Sequence, residues 1–276
     1  MPEAILVLLR HPEEAGLLLD AAARLAAIMG SARINALAIH ETIEITPAGG
    51  ATLADRSEAI QAAREIEHQR VRMLERVFDN WTATLKQASN AHWFTAEGST
   101  SELVAQWGRR ADVIVTRRPS ADDRLDRHAF RITLFGTDRP VLMVPPTLVN
   151  SQAGATFGRR IAIAWRDEKQ ALRAVLPALR WLTSAEQVHV LVGVRDITHT
   201  LEVPPVLLEH GLTASLQVLA IHPGPFGQTL LDAAHRLGAD LLVMGAYAHS
   251  PLRELILGGV TRHMLAHADL PVLMRH

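Results

Sequence analysis

The chain is predicted to be an α/β protein of two similar open, mainly parallel five-stranded sheets flanked by helices. Short continuous apolar runs of strand length, Ala4 to Leu9 first among them, read as parallel strands covered on both faces. Segments with apolar residues at helical spacing alternate with these runs, which is the signature of βαβ units. The order then repeats. Leu6-Val7-Leu8-Leu9-Arg10 is matched by Ala162-Ile163-Ala164-Trp165-Arg166 at an offset of 156. Asp112-Val113-Ile114-Val115 is matched by Asp240-Leu241-Leu242-Val243 at 128, and Pro140-Val141-Leu142-Met143 by Pro271-Val272-Leu273-Met274 at 131. A duplicated unit fits these offsets better than one large sheet. The expected units are residues 1–149 and 158–276, joined near Asn150 to Gly158.

Taken in order, strand Ala4 to Leu9 is followed by Pro12 at a first-turn position, with Glu13 and Glu14 favourable near a helix N-terminus. Leu17, Leu18, Ala21, Leu25 and Ile28 then repeat at helical spacing until Gly30 ends the run. Arg33 to His40 gives a second strand. After the turn at Pro47, Gly49 and Gly50, a long helix is expected from Leu53 to Ala88, with Ile60, Ile66, Met73, Leu74, Val77, Phe78, Trp81 and Leu85 largely on one stripe. Ala91 to Ala96 is a third strand, and Ser99 with Glu102 forms a capping-box pattern before a short helix. Asp112 to Thr116 and Pro140 to Val144 complete the first unit. The second unit is 28 residues shorter between its first and fourth strands (156 minus 128), and the shortage falls on its second helix, reduced to Val203 to Glu209. His222-Pro223-Gly224-Pro225 reads as a strand end, a turn and a helix start.

Composition limits the function classes. The 276 residues are 48% hydrophobic, enough for two ordinary cores. A formal net charge of −1 gives no footprint for nucleic acid, and the absence of cysteine removes disulfides and thiolate chemistry. The run from Ala4 to Leu9, soon interrupted by Arg10, Glu13 and Glu14, is too short for a signal segment or a spanning helix. The expectation is a soluble cytoplasmic protein without a membrane partner.

The most informative stretch is Asp240 to Thr261. An apolar strand ends in Gly245, a turn follows, and Gly258-Gly259 opens a new helical pattern. Such a corner presents backbone N–H groups to an anion, phosphate by default. The run Gly245-Ala246-Tyr247-Ala248-His249-Ser250-Pro251, continuing to Gly258-Gly259-Val260-Thr261 and followed by Leu270 to Met274, resembles the C-terminal signature of the universal stress protein family. That signature is a glycine, two residues, a second glycine, nine residues, then glycine and a serine or threonine. Gly245 and Gly258 match it; Ala248 stands at the second glycine and Gly259 at the hydroxyl residue.

The resemblance implies an adenine nucleotide alpha hydrolase-like, Rossmann-like topology and a non-catalytic stress-response role for the tandem chain. It implies ATP or a related adenine nucleotide in the second unit, with Gly245, Ala248, His249, Gly258, Gly259, Val260 and Thr261 around the phosphates. Arg166 or Asp167 would lie at the ribose side and Val194 near the base. Nucleotide-binding members place an aspartate just after the first strand, where this chain has Arg10 and Arg166, with Asp167 one residue late. Family units meet through their last strands, so Pro140 to Val144 is expected against Pro271 to Met274 as an intramolecular pseudo-dimer. A homodimer of pseudo-dimers is the further assembly it allows.

In the first unit Arg117 replaces Gly245 and the phosphate loop is missing, so that unit is expected to be a scaffold. The segment with Arg117, Arg118, Arg124, Arg127, His128 and Arg131 has two readings: a guanidinium cluster for an anion, or a solvated loop neutralised by Asp122, Asp123 and Asp126. His263 and His267 share a helical face near His249, but a zinc site needs more ligands, so no metal is expected. No Walker, nucleophile-elbow or Gly-x-Gly-x-x-Gly motif occurs, which leaves weak ATP hydrolysis as the most turnover to expect. The alternative function is a ligand-independent interaction module with both pockets closed. In that case the stripe of Met73, Phe78 and Trp81 would be bare for a partner.

Overall fold

The computed structural model describes residues 3–30, 32–41, 53–84, 90–148, 156–166, 169–195, 202–246 and 259–276. Its first half runs β1 (Ala4–Leu9), α1 (Pro12–Ile28), β2 (Arg33–Glu41), α2 (Leu53–Thr84), β3 (Ala91–Gly98), α3 (Thr100–Gly108), β4 (Val113–Arg117), α4 (Arg124–Gly136) and β5 (Val141–Val144). The second half runs β6 (Arg160–Trp165), α5 (Lys169–Leu182), β7 (Gln187–Val194), α6 (Pro205–Glu209), β8 (Ser215–Ala220), α7 (Phe226–Arg236), β9 (Leu241–Gly245), α8 (Val260–His267) and β10 (Val272–Arg275).

The strands lie in the order β3-β2-β1-β4-β5-β10-β9-β6-β7-β8. Read inward from either edge, both halves give third, second, first, fourth and fifth strand. The repeat seen in the sequence is therefore a repeat of topology. Two separate sheets were expected, and this is corrected: one ten-stranded sheet is continuous across both halves. The join is the antiparallel pair of β5 and β10, with Val272 opposite Met143 and Met274 opposite Val141. Each of these strands would otherwise present a row of unpaired backbone groups at an edge, and each satisfies the other. All other neighbours are parallel, for example Val7 with Ala36 and Ile163 with Val190. The carboxyl ends of the first-half strands thus point to one rim and those of the second half to the opposite rim.

All six residues of β1 are buried, as a strand covered on both faces requires. One face of the sheet packs against α1, α2 and α5 in a single core that crosses the join. The other face packs against α3, α4, α7 and α8. Helix α2 is held by Leu74, Phe78 and Trp81, all buried. The Phe78 ring sits 5.6 Å from that of Trp93 on β3, and Trp81 Nε1 donates to Asp20 Oδ1 of α1 at 2.8 Å. Phe78 and Trp81 are therefore covered by their own chain rather than bare for a partner; Met73, placed on the same stripe by its spacing, instead faces outward. Leu85 and Ala88 lie outside the described residues. The capping box at Ser99 does not form: its side chain makes no cap bond, although Leu103 N donates to the Ser99 carbonyl.

Asp112 and Asp240, which the sequence pattern marked only as strand boundaries, do the same work in both halves. Asp112 Oδ2 accepts from Ala4 N at 2.8 Å, tying the start of β1 to that of β4. Asp240 Oδ1 accepts from Gly158 N at 2.8 Å and Arg160 N at 3.2 Å, and Arg159 N reaches the same carboxylate at 3.1 Å. Gly158 adopts φ +91°, a value a side chain would strain, which turns these amides toward one acceptor. Charged acceptors make the stronger hydrogen bonds, so Asp240→Ala is expected to cost about 2 kcal/mol and Asp112→Ala, with one amide, less. Urea midpoints at unchanged slope would read both; equal losses would contradict the assignment.

Candidate functional site

Ligands of open α/β sheets bind beyond the carboxyl ends of the strands, and the two halves treat that position differently. In the second half β6 pairs with β9, Ala164 opposite Met244, which places Trp165 and Gly245 one step further along the same strands. Arg166 follows, exposed, and Val194 closes the neighbouring strand β7. Gly259 precedes the first turn of α8 with Val260 next to it, both half-buried, and Thr261 is 2% exposed. Arg166, Val194, Gly245, Gly259, Val260 and Thr261 are thus carried on elements that meet one rim of the sheet. Asp167, Ala248, His249 and Gly258 fall outside the described residues.

The amide of Ala246 is committed to the protein: it donates to the Arg275 carbonyl at 2.9 Å and prolongs the ladder between β9 and β10. An anion at this corner would therefore rely on the start of α8, where first-turn amides point along the helix axis. Helix α8 is tightly seated. A Cβ built on Gly227 of α7 would lie 2.5 Å from His263 Cβ, so only glycine admits this approach. The His263 and His267 rings are 4.6 Å apart, and burial followed by the charge of His267 lowers the pKa of His263. His267, at the end of α8, is exposed, while His263 is half-buried.

In the first half the corresponding crevice is filled with charge. Asp126, in the first turn of α4, has a side chain only 1% exposed. Arg10 Nε lies 3.3 Å from its Oδ1 and His11 Nε2 3.0 Å, while Arg117 Nη1 lies 3.3 Å from its Oδ2. Arg10 also pairs with Glu41 at the end of β2, and Arg117 Nε lies 2.9 Å from Glu14. From α2, Arg70 donates to the Arg10 carbonyl at 2.8 Å and the Ile39 carbonyl at 2.7 Å, closing the strand ends from above. The segment from Arg117 to Arg131 is thus divided: Arg117, Arg118 and Asp126 are engaged within the protein, whereas Asp122, Arg124, Arg127, His128 and Arg131 are exposed, as the solvated reading has them, the arginines and His128 on α4 rather than on a loop. Asp123 caps α4 by accepting from Leu125 N at 2.8 Å, and Arg118 Nη1 donates to the Ala266 carbonyl at the end of α8 at 2.6 Å.

Burial works to raise the Asp126 pKa, but the hydrogen bond from His11 and the charges of His11, Arg117 and Arg10 outweigh it and hold the carboxyl below its usual value. Glu14 goes the other way, because desolvation exceeds what Arg117 returns. His11, Asp123 and Asp126 offer ligand atoms within 4.8 Å of one another. A metal does not fit there: two guanidinium groups already face Asp126, and the Asp123 carboxylate is taken by backbone amides. This buried carboxylate was missed in the sequence, where three nearby aspartates read as solvated. The signal that could have found it is Asp126 three residues after Asp123, the spacing of a cap and first helical turn.

Among the described residues no helix is long and apolar enough to cross a membrane. No curated protein sequence matches the chain. Among solved structures, a universal stress protein from Archaeoglobus fulgidus is similar with a TM-score of 0.68 at 14% identity, over 99% of this chain and 95% of that one. A functionally unknown protein from Pseudomonas aeruginosa is similar with a TM-score of 0.58 at 15% identity, over 99% and 92%. These likenesses carry the fold. The model of the universal stress protein family matches residues 113–276, more than half of the chain. By that match, the chain belongs to the universal stress protein family.

Proposed function

We propose that the chain is a tandem universal stress protein, a non-catalytic stress-response protein whose second half, residues 158–276, binds ATP or a related adenine nucleotide while residues 1–149 serve as a scaffold. The observation that supports this is the contrast at matched positions. Arg117 ends β4 and plugs its crevice with Glu14 and Asp126, whereas Gly245 ends β9 without a side chain. Gly259, Val260 and Thr261 would hold the phosphates together with Ala248, His249 and Gly258, with Arg166 or Asp167 toward the ribose and Val194 toward the base. The expected site is one per chain, without turnover.

The test is direct. Protein purified without added nucleotide is denatured and the released small molecules are weighed by mass spectrometry, then ATP is titrated calorimetrically. One adenine nucleotide per chain is expected, and Gly245→Arg, which copies the first half, is expected to weaken binding at least about tenfold. No released nucleotide and no binding at millimolar ATP would transfer the reading to a ligand-independent interaction module. The committed Ala246 amide is the observation on that side.

A further inference from the structure

Helix α8 runs from one rim of the sheet to the other. Its start, Gly259 to Thr261, lies on the second-half rim, and its end leads into β10, whose first residue Val272 pairs with Met143 near the end of β5. At 1.5 Å per residue, its eight residues span about 12 Å. The middle of α8 is seated by its own half, His263 against Gly227. Its end is held by the other half: Arg118 Nη1 donates to the Ala266 carbonyl at 2.6 Å, from 148 residues away in the chain. That carbonyl belongs to the last turn, where no intrahelical donor remains, and a cation there also complements the helix dipole.

The pseudo-symmetric position shows what the arginine adds. Arg118 and Ala246 are equivalent at the offset of 128, and their amides make the same bond: Arg118 N to the Val144 carbonyl at 2.8 Å, Ala246 N to the Arg275 carbonyl at 2.9 Å. The backbone is thus alike in both halves, and only Arg118 carries a side chain long enough to reach the last helix of the other half. The arginine is half-buried there. Burial lowers its pKa, and the charge of Asp269, two residues beyond α8, works against that shift.

We propose that Arg118 is a positioning residue for phosphate binding at the start of α8, so that the first half sets the nucleotide affinity of the second. This rests on the nucleotide reading above. Because the Ala246 amide is already bonded, an anion at that rim relies on the first-turn amides of α8, and their aim is only as fixed as the helix that carries them. With the far end of so short a helix released, binding would first have to order it, which weakens affinity.

Calorimetric titration of ATP and of adenosine into the full chain tests it. Arg118→Ala is expected to raise the ATP dissociation constant about three- to tenfold and to leave that of adenosine unchanged, since adenosine lacks the group that α8 meets. Arg118→Lys, which can still donate to a carbonyl, is expected to recover part of the loss. Arg124→Ala removes an equal charge from an exposed position of the same half and is expected to change neither constant. Equal weakening of ATP and adenosine would reduce Arg118 to a structural contact and overturn the proposal, as would an Arg124→Ala effect of the same size. A parent chain that binds no ATP overturns the nucleotide reading and this proposal together, whereas a parent that binds ATP and an Arg118→Ala variant that binds it equally well overturn this proposal alone.

Discussion

Asp126→Ala is expected to lower the stability of the chain by about 3 kcal/mol, because it removes the shared partner of a buried ionic cluster and leaves Arg10 with Glu41 alone and Arg117 with Glu14 alone. Arg10 and Arg117 both face this carboxylate, and its side chain is 1% exposed, so water cannot replace it. Urea unfolding at neutral pH reads the loss; a change within about 0.5 kcal/mol, typical of surface sites, would refute the buried-cluster account. The same cluster sets a pH dependence. The folded pKa of Asp126 lies below its unfolded value near 3.8. The unfolded state thus binds more protons in that interval, and the stabilisation is complete above it and disappears as pH falls through the folded pKa. Glu67, also held low in the fold, with burial outweighed by hydrogen bonds from Arg70 and the Glu41 amide, adds to the same slope. Acid titration of the unfolding free energy should therefore be shallower in Asp126→Ala than in the parent.

Trp81→Ala is expected to cost about 3–5 kcal/mol as well, by a different route. The indole fills the contact between α1 and α2 at 8% exposure, and its deletion leaves a cavity that the neighbouring Phe78, 6.1 Å away between ring centres, closes only in part. It also leaves Asp20 without the indole donor it now has at 2.8 Å. Trp81→Phe separates the two effects: it keeps most of the volume and is expected to cost about 1–2 kcal/mol for the lost hydrogen bond. If both variants cost the same, packing does not dominate and the account of how α2 is fastened is wrong.

How far the sequence carried depends on the range over which each feature is decided. Runs such as Ala4 to Leu9, buried on both faces, are specified by their own residues, and β1 has the predicted bounds. The stripe of Leu74, Phe78 and Trp81 located α2 for the same reason, although Met73 shows that a stripe read by spacing alone includes residues at its margin that face solvent. The joining of β5 to β10 is different. Val141 to Val144 is equally apolar in a separate unit or in a shared sheet, so its pairing with Val272 to Met274, more than a hundred residues away, was expected from the family resemblance and not from the residues, and the single sheet that follows from it was not. The roles of Asp112, Asp240 and Asp126 were hidden because an acid at a strand or helix start looks solvated in a sequence, while its true surroundings are distant in the chain: Ala4 for Asp112, Gly158 to Arg160 for Asp240, and Arg10, His11 and Arg117 for Asp126. For the candidate site, the glycine at the end of β9 and the start of α8 were legible as elements in the sequence, while the committed amide of Ala246 depends on the neighbouring β10 and has no local signature.

The antiparallel join has a consequence for anything that touches this protein from outside. An ordinary parallel sheet of this width would turn all of its crevices toward the same side, where one bulky visitor could span them. Here a molecule resting on the rim above Gly245 cannot also reach Arg10 and Asp126, because those lie at the far side of the slab. Occupancy on one side and attachment on the other can therefore proceed without competing for the same ground.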